Sequence, residues 1–166
     1  MKQLDTHIDI FAPLNHVWRV LTDLPNYGAW NPFICQVDGA CCQDEIVAVR
    51  MHIPGKGFQS YRVRLTLIAE PVEFRWLGHF HIRGLIDGNH GFELRELPEG
   101  KVRVRQYEDF RGMLVPFVWR AYIMRHLLPC FDALNQNLKA WCEGLPLPVA
   151  LPLRPEEKQV RPGSAC

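Results

Sequence analysis

The spacing of apolar residues changes within residues 101–142, which read KVRVRQYEDFRGMLVPFVWRAYIMRHLLPCFDALNQNLKAWC. Before Gly112, apolar side chains such as Val102 and Val104 stand at every second position, the period of a strand with one buried face. After Gly112 the spacing changes to steps of four and three, which is typical of a helix with one apolar stripe. The stripe consists of Leu127, Phe131, Leu134, Leu138 and Trp141, extended toward the amino end by Phe117, Ala121 and Met124. The stretch therefore predicts a last strand followed by a long C-terminal helix, which Pro129 should kink or divide.

The residues upstream of this stretch predict one strand, two short helices and then a meander of strands. Residues 4–10 alternate apolar and polar side chains, and Pro13 stands where a first helix should begin. Pro25 marks the first turn of a second short helix, and from residue 33 onward alternating segments are separated by turn residues such as Asp87-Gly88. Because parallel pairing needs crossovers of roughly a dozen residues or more, these short connections predict antiparallel pairing.

This order predicts an α+β fold in which a curved antiparallel sheet of about seven strands wraps around the long C-terminal helix, with two short helices after the first strand. The inner face of such a sheet must be covered. Wherever the helix covers the sheet without touching it, an apolar cavity is left, and such cavities are the usual sites for small molecules.

The composition predicts one domain with a short tail. The chain has 166 residues, 48% of them hydrophobic, and a formal net charge of +1. That charge offers no global attraction to nucleic acid or to an anionic membrane. We place the domain at residues 1–143 and a Pro-rich tail, disordered or extended, at residues 144–166. No signal peptide and no run of about 18 apolar residues is visible, so we expect a cytoplasmic protein without integral membrane association.

The motifs of the chain resemble those of the START/polyketide-cyclase superfamily, also called SRPBCC, whose members share a helix-grip fold. The resemblance rests on IDIFAP at 8–13, WNPF at 30–33, FRWLG at 74–78, DGNHGFEL at 87–94, QYEDFRG at 106–112 and FDALN at 131–135. It covers about residues 4–143 and implies that fold. The superfamily has no common catalytic motif, and its members range from lipid and hormone carriers to aromatase/cyclases and stress-response activators. The resemblance therefore leaves carrier and enzyme both open.

Glu108 and His90 are the candidate catalytic residues. Glu108 shares strand parity with Val104 and Phe110, so its carboxylate should face the cavity, where burial suits it to acid or base chemistry. The alternative is that Glu108 pairs with an arginine or lies at the open rim. For His90, the alternative is a structural histidine hydrogen-bonded within a turn.

The candidate ligand-binding residues are mainly aromatic and share the inward-facing strand parity, with one tryptophan at the end of the second short helix. They are Trp30, Phe74, Trp76, Phe92, Gln106 and Phe110. The cluster of His79, His81 and His90 contains metal-ligand side chains but no carboxylate within residues 78–86 to support them. We therefore predict no metal site and no cofactor.

Three hypotheses follow. The first is a protein that binds, and in one version transports, a small apolar or aromatic molecule of lipid-like or polyketide-like chemistry in the internal cavity. The second is a cyclase/dehydratase-like enzyme in which Glu108, with His90 or Tyr107, moves protons on the bound substrate. The third is a chaperone cofactor or toxin partner without a small molecule. The expected partner is a small hydrophobic molecule and not nucleic acid, and a homodimer is left open.

Overall fold

A computed structural model describes residues 1–80 and 83–152 and contains a seven-stranded antiparallel sheet. The strands are β1 (Lys2–Ile10), β2 (Ile34–Asp38), β3 (Ile46–Ile53), β4 (Gly57–Ala69), β5 (Glu73–His79), β6 (Asp87–Leu97) and β7 (Lys101–Arg111). Their order across the sheet is β1-β7-β6-β5-β4-β3-β2. Strands β2 to β7 therefore form a meander, and β1 closes the far edge by pairing with β7.

Two short helices follow β1, as the sequence predicts. Helix α1 (Leu14–Thr22) buries Val17, Trp18 and Leu21, and a 3₁₀ helix (Leu24–Ala29) comes directly after it. The Tyr27 hydroxyl donates a 2.6 Å hydrogen bond to the Leu21 carbonyl and so joins the two helices. A second 3₁₀ turn (Pro98–Gly100) connects β6 to β7.

The C-terminal helical stretch has three consecutive parts. Helix α2 (Val115–Val118) leads into a π-helix (Trp119–Leu127), which passes into helix α3 (Leu128–Cys142). Pro129 lies in the first turn of α3, just after the π-helix ends at Leu127. The predicted division of the helix at this proline is confirmed.

The predicted apolar stripe is correct from Leu127 to Leu138 and wrong in α2 and in the π-helix before Leu127. Leu127, Phe131, Leu134 and Leu138 are buried, whereas Phe117, Ala121 and Met124 are exposed. A π-helix closes its hydrogen bonds five residues apart, so the α-helical spacing no longer identifies its inner face. In this part of the chain, Val115 and Ile123 point inward instead. Trp141, predicted to be a core residue, is 44% exposed because the last turn of α3 buries its neighbours Ala140 and Cys142.

The first part of the Pro-rich tail lies against α3. Asn137 Nδ2 donates to the carbonyl oxygens of Trp30 (2.9 Å) and Val149 (2.8 Å), and Asn137 Oδ1 accepts from the Val149 N–H (2.9 Å). This pairing satisfies both backbone hydrogen-bonding groups of Val149, which is not part of a strand. The rest of the predicted tail, residues 153–166, lies outside the described residues. Within residues 1–80 and 83–152, no helix is long and apolar enough to cross a membrane.

Candidate functional site

A cavity of about 610 Å³ lies between the inner face of the sheet and the π-helical half of the C-terminal stretch. Its volume falls within the range of roughly 300–1,000 Å³ that is usual for small-molecule sites. The walls are contributed by β4, the β5–β6 connection, β7 and the helical stretch. They consist of Gln59, Ser60, Tyr61, Phe80, Leu85, Ile86, Phe110, Leu114, Val118, Tyr122, Ile123 and Leu127. The surface is therefore largely aliphatic and aromatic, with a few polar groups on one side.

The polar side of the cavity is formed by three side chains that are joined by hydrogen bonds. The Tyr61 hydroxyl donates to Gln59 Oε1, and Gln59 Nε2 donates to the Tyr122 hydroxyl oxygen at 3.4 Å. Burial, together with the nearby Tyr122 and Glu108, raises the pKa of Tyr61 to about 12, so this phenol stays neutral. Because Tyr122 accepts from Gln59, its own hydroxyl proton remains available to a ligand oxygen.

A recess of about 30 Å³ adjoins the cavity and shares Tyr61 and Phe80 with it. Glu108 and Trp76 line this recess, whose volume is sufficient for a water molecule. Gly88 makes room for the carboxyl group, since a Cβ at this position would overlap Glu108 Oε1. The sequence correctly predicts that Glu108 faces inward, and its side chain is only 13% exposed.

Glu108 and His90 are neighbours but do not form an ion pair at neutral pH. His90 Nδ1 lies 3.9 Å from Glu108 Oε2, which is longer than a hydrogen bond. Burial raises the pKa of Glu108 to about 8, with a smaller contribution from the negative charge of Asp109. Burial also lowers the pKa of His90 to about 3. Both side chains are therefore neutral at pH 7, and Glu108 carries a proton it can donate.

His90 is held in an aromatic environment on strand β6. Its ring centroid lies 4.9 Å from that of Phe131 in a stacked arrangement, 4.9 Å from Trp76 and 5.0 Å from Phe92. Gln106 Nε2 lies 3.2 Å from His90 Nε2. With the amide as donor, the ring proton is on Nδ1, the nitrogen that faces Glu108. His90 thus lies in a β-strand within the core and not in a turn.

The structure separates the predicted ligand-binding residues into three groups. Phe110 lines the cavity and Trp76 lines the recess. Phe74, Phe92 and Gln106 are fully buried beside His90, in the aromatic packing between the sheet and α3. Trp30 lies apart from this cluster and packs edge-on against Tyr27 at 5.1 Å. Their roles in binding stay predictions.

Several cavity residues were not among the predicted site residues. Tyr61 shares the inward parity of Val63 and Leu65 on β4, so the sequence contains a signal for its orientation. Tyr122 carries no such signal, because it lies in the π-helix, where α-helical spacing does not apply. Gln59 has the same strand parity as Tyr61, so the sequence contains the same signal for its orientation.

The histidine cluster does not come together as a metal centre in the described part of the chain. Within residues 1–80 and 83–152, no group of three His, Cys, Asp or Glu side chains could hold a metal ion. His79 Nδ1 instead lies 2.7 Å from Asp87 Oδ1, while His90 is enclosed by aromatic rings. His81 lies outside the described residues.

Solved structures share this fold at low sequence identity. The chain is similar to the Zhui aromatase/cyclase from Streptomyces sp. R1128, with a TM-score of 0.68 and 16% identity over 86% of this chain and 93% of that one. It is also similar to the di-domain BexL of the BE-7585A biosynthetic pathway (TM-score 0.66, 15% identity, 83% of this chain and 46% of that one). A START superfamily protein from Mycobacterium smegmatis matches with a TM-score of 0.58 and 13% identity over 78% of this chain and 94% of that one. At such identities, the likeness establishes the fold alone.

Comparison of the sequence with family models assigns the chain to a family. A search of the curated proteins finds no significant match. The family model described as polyketide cyclase/dehydrase and lipid transport, by contrast, matches residues 1–143, nearly all of the chain that the structure describes. The helix-grip arrangement of a seven-stranded sheet around a C-terminal helical stretch agrees with that match. The chain therefore belongs to the polyketide cyclase/dehydrase and lipid transport family of the START/polyketide-cyclase superfamily.

Proposed function

We propose that this protein binds a small apolar or aromatic molecule, of lipid-like or polyketide-like chemistry, in the 610 Å³ cavity. The observation that carries the proposal is the combination of a largely apolar wall with the Tyr122 hydroxyl, a hydrogen-bond donor available to a ligand. An apolar ligand body would gain free energy from leaving water, and the phenol would orient a ligand carbonyl or hydroxyl. The family match supports a hydrophobic ligand.

A cavity-filling variant tests this proposal. Val118→Trp should weaken ligand binding, because Val118 lines the cavity and an indole at this position would take up part of the space. Thermal shift measurements with palmitate and with the polyphenol quercetin provide the readout. A ligand present at 100 times its Kd should raise the Tm of the native protein by about 5–10 °C.

Phe117→Trp is the matched control, since the same side chain enters at a neighbouring exposed position that does not line the cavity. We expect Phe117→Trp to keep the full ligand-induced shift, which should be smaller in Val118→Trp. Equal shifts in the two variants, or no shift of the native protein with either probe, would contradict a ligand site in this cavity.

An enzymatic function of the same site is the second candidate, and the protonated Glu108 beside the cavity favours it. In the dehydration of a β-hydroxyketone, Glu108 would donate its proton to the hydroxyl group, which leaves as water. The resulting carboxylate would take the proton from the α-carbon as the C=C bond forms. One water leaves for each enone formed, and Glu108 ends protonated.

A simple substrate can test this activity. Dehydration of 4-hydroxy-4-phenylbutan-2-one gives a conjugated enone that can be followed by its ultraviolet absorbance. We expect Glu108→Gln to lower the rate by about 10²–10⁴-fold, the usual effect of losing a general acid. Glu93→Gln, which changes a carboxylate on the outer face of the sheet, should leave the rate unchanged. A rate no higher than that of buffer, or one equal in Glu108→Gln and native protein, would count against catalysis by Glu108.

A further inference from the structure

The outer face of the cavity helix exposes an unusual amount of apolar surface. Met113 is 77% exposed and Phe117 is 79% exposed, although both are large hydrophobic side chains. We call the exposed side of residues 113–125 the helix outer face. It consists of Met113, Leu114, Pro116, Phe117, Arg120, Ala121, Met124 and Arg125, of which Leu114, 41% exposed, also borders the cavity. Six of these eight side chains are apolar, which is more than isolated surface hydrophobes would give.

The charges on this face all have the same sign. Arg120 and Arg125 are exposed, and within the described residues neither makes an ion pair or a side-chain hydrogen bond. Residues 112–131 contain no Asp or Glu. The near-zero net charge of the whole chain therefore conceals a local positive patch.

Two arginines on the outer face of the sheet differ from Arg120 and Arg125. Arg103 forms a bidentate ion pair with Asp9. Arg105 forms ion pairs with both Asp5 and Glu93. Those guanidinium groups are neutralised by carboxylates on neighbouring strands. Arg120 and Arg125 are left to interact with an anion from outside the chain.

We propose that the helix outer face is a peripheral docking surface for a bilayer that contains anionic lipid. Phe117, Met113 and their apolar neighbours would enter the headgroup region, while Arg120 and Arg125 would contact lipid phosphates. The opposite side of the same stretch carries Val118, Tyr122 and Ile123, which line the cavity. An apolar molecule could then pass between bilayer and cavity without crossing bulk water. This last step rests on the proposed ligand binding, whereas the docking itself does not.

Shape and chemistry favour a bilayer over a protein partner. The face is a convex helix with protruding side chains, which a protein could engage only by providing a matching groove. A lipid surface needs no such complement, because its headgroup region adapts to inserted apolar side chains. A cationic rim around an apolar centre is complementary to anionic headgroups over apolar acyl chains.

Vesicle cosedimentation of the full chain tests the proposal. The native protein should bind phosphatidylcholine vesicles that contain phosphatidylserine, and should bind less when phosphatidylserine is omitted or when salt is raised. The double variant Arg120→Gln/Arg125→Gln should bind the anionic vesicles about 30-fold more weakly. Phe117→Ser should weaken binding about tenfold, because it removes an inserted ring.

Matched variants at other exposed positions serve as controls. Arg62→Gln/Arg64→Gln removes two exposed arginines from β4, and Phe11→Ser removes an exposed ring after β1. Both should bind vesicles as the native protein does. Equal binding of the two arginine double variants, equal binding with and without phosphatidylserine, or no sedimentation of folded native protein would overturn the proposal. The last result would leave a protein partner as the occupant of this face.

The result of the vesicle experiment can be distinguished from the result of the ligand-binding test. Phe117 does not line the cavity, so Phe117→Ser should still show the ligand-induced thermal shift in solution. Loss of vesicle binding with ligand binding intact supports docking as a distinct property. Vesicle binding by a protein that takes up no ligand would contradict only the cavity assignment.

Discussion

Glu108→Gln should raise the free energy of unfolding at pH 7 by about 3 kcal/mol. Burial, and secondarily Asp109, raises the pKa of Glu108 to about 8 in the folded protein, from an ordinary value of 4.5. Between these two values, the unfolded chain releases a proton that the folded chain retains, so the native carboxyl group lowers stability as the pH rises. Glutamine has nearly the same shape and does not titrate. It removes this penalty.

The pH dependence of stability should identify Glu108 and His90 separately. Burial lowers the pKa of His90 to about 3 from 6.5, so stability falls as the pH drops from 6.5 to 3, where only the unfolded state is protonated at this ring. Glu108 acts in the opposite direction from pH 4.5 to 8. The two effects cancel between about pH 4.5 and 6.5.

Urea unfolding at a series of pH values measures these opposing slopes. Relative to native protein, Glu108→Gln should gain stability progressively from pH 4.5 to 8. His90→Gln should show the reverse difference and gain stability relative to native protein as the pH falls from 6.5 to 3. Differences between each variant and native protein that do not change with pH would contradict neutral burial of these two groups.

Gly112→Ala should destabilise the protein by about 4 kcal/mol. Gly112 has φ +130°, a backbone conformation that other residues rarely adopt. A Cβ at this position would also lie 2.6 Å from the carbonyl carbon of Leu85 and 2.9 Å from the Gly84 carbonyl oxygen. These neighbours are backbone atoms, and the carbonyl oxygens of Gly84 and Leu85 accept hydrogen bonds from the N–H groups of Met113 and Leu114, respectively. The connection between β7 and α2 would therefore have to move.

Gly100→Ala separates steric overlap from backbone strain. Gly100 also has a positive φ, of +69°, but a Cβ there would meet nothing within 4 Å. We expect Gly100→Ala to cost only about 1 kcal/mol in urea unfolding. Because Leu85 and Leu114 line the cavity, Gly112→Ala should in addition weaken the ligand-induced thermal shift. Similar destabilisation by the two alanines would show that the contact with Leu85 is unimportant.

A side chain that lowers the free energy of unfolding at its native position is consistent with a catalytic role. Glu108 is protonated, buried and adjacent to a ligand-sized cavity, and each of these properties reduces the stability it can contribute. His90, by contrast, contributes to packing through Phe131, Trp76 and Phe92. The pair of neutral groups therefore divides into one candidate proton donor and one packed ring that faces it.

The sequence by itself determined the order of the elements and the faces of the strands. Strand side chains alternate strictly, so the parity of Val102, Val104 and Glu108 was enough to predict that the Glu108 carboxylate points inward. The four-and-three spacing from Leu127 to Leu138 likewise predicted the buried side of α3. Local spacing carries this information because each pattern reflects a single regular element.

Only the tertiary structure determined where the cavity lies between the sheet and the C-terminal helical stretch. Of the predicted cavity aromatics, Phe74 packs against Trp76, and Phe92 packs against His90, which stacks on Phe131 of α3. The cavity lies farther along, beneath the π-helix. Whether an inward side chain meets a packed neighbour or an empty volume depends on how closely two distant elements approach. The π-helix sets that approach here, and its five-residue hydrogen bonding also leaves Ala121 and Met124 exposed, against the α-helical pattern. Sequence periodicity indicates which way a side chain points, but the distance to what it faces is fixed only when the sheet and the helix pack together.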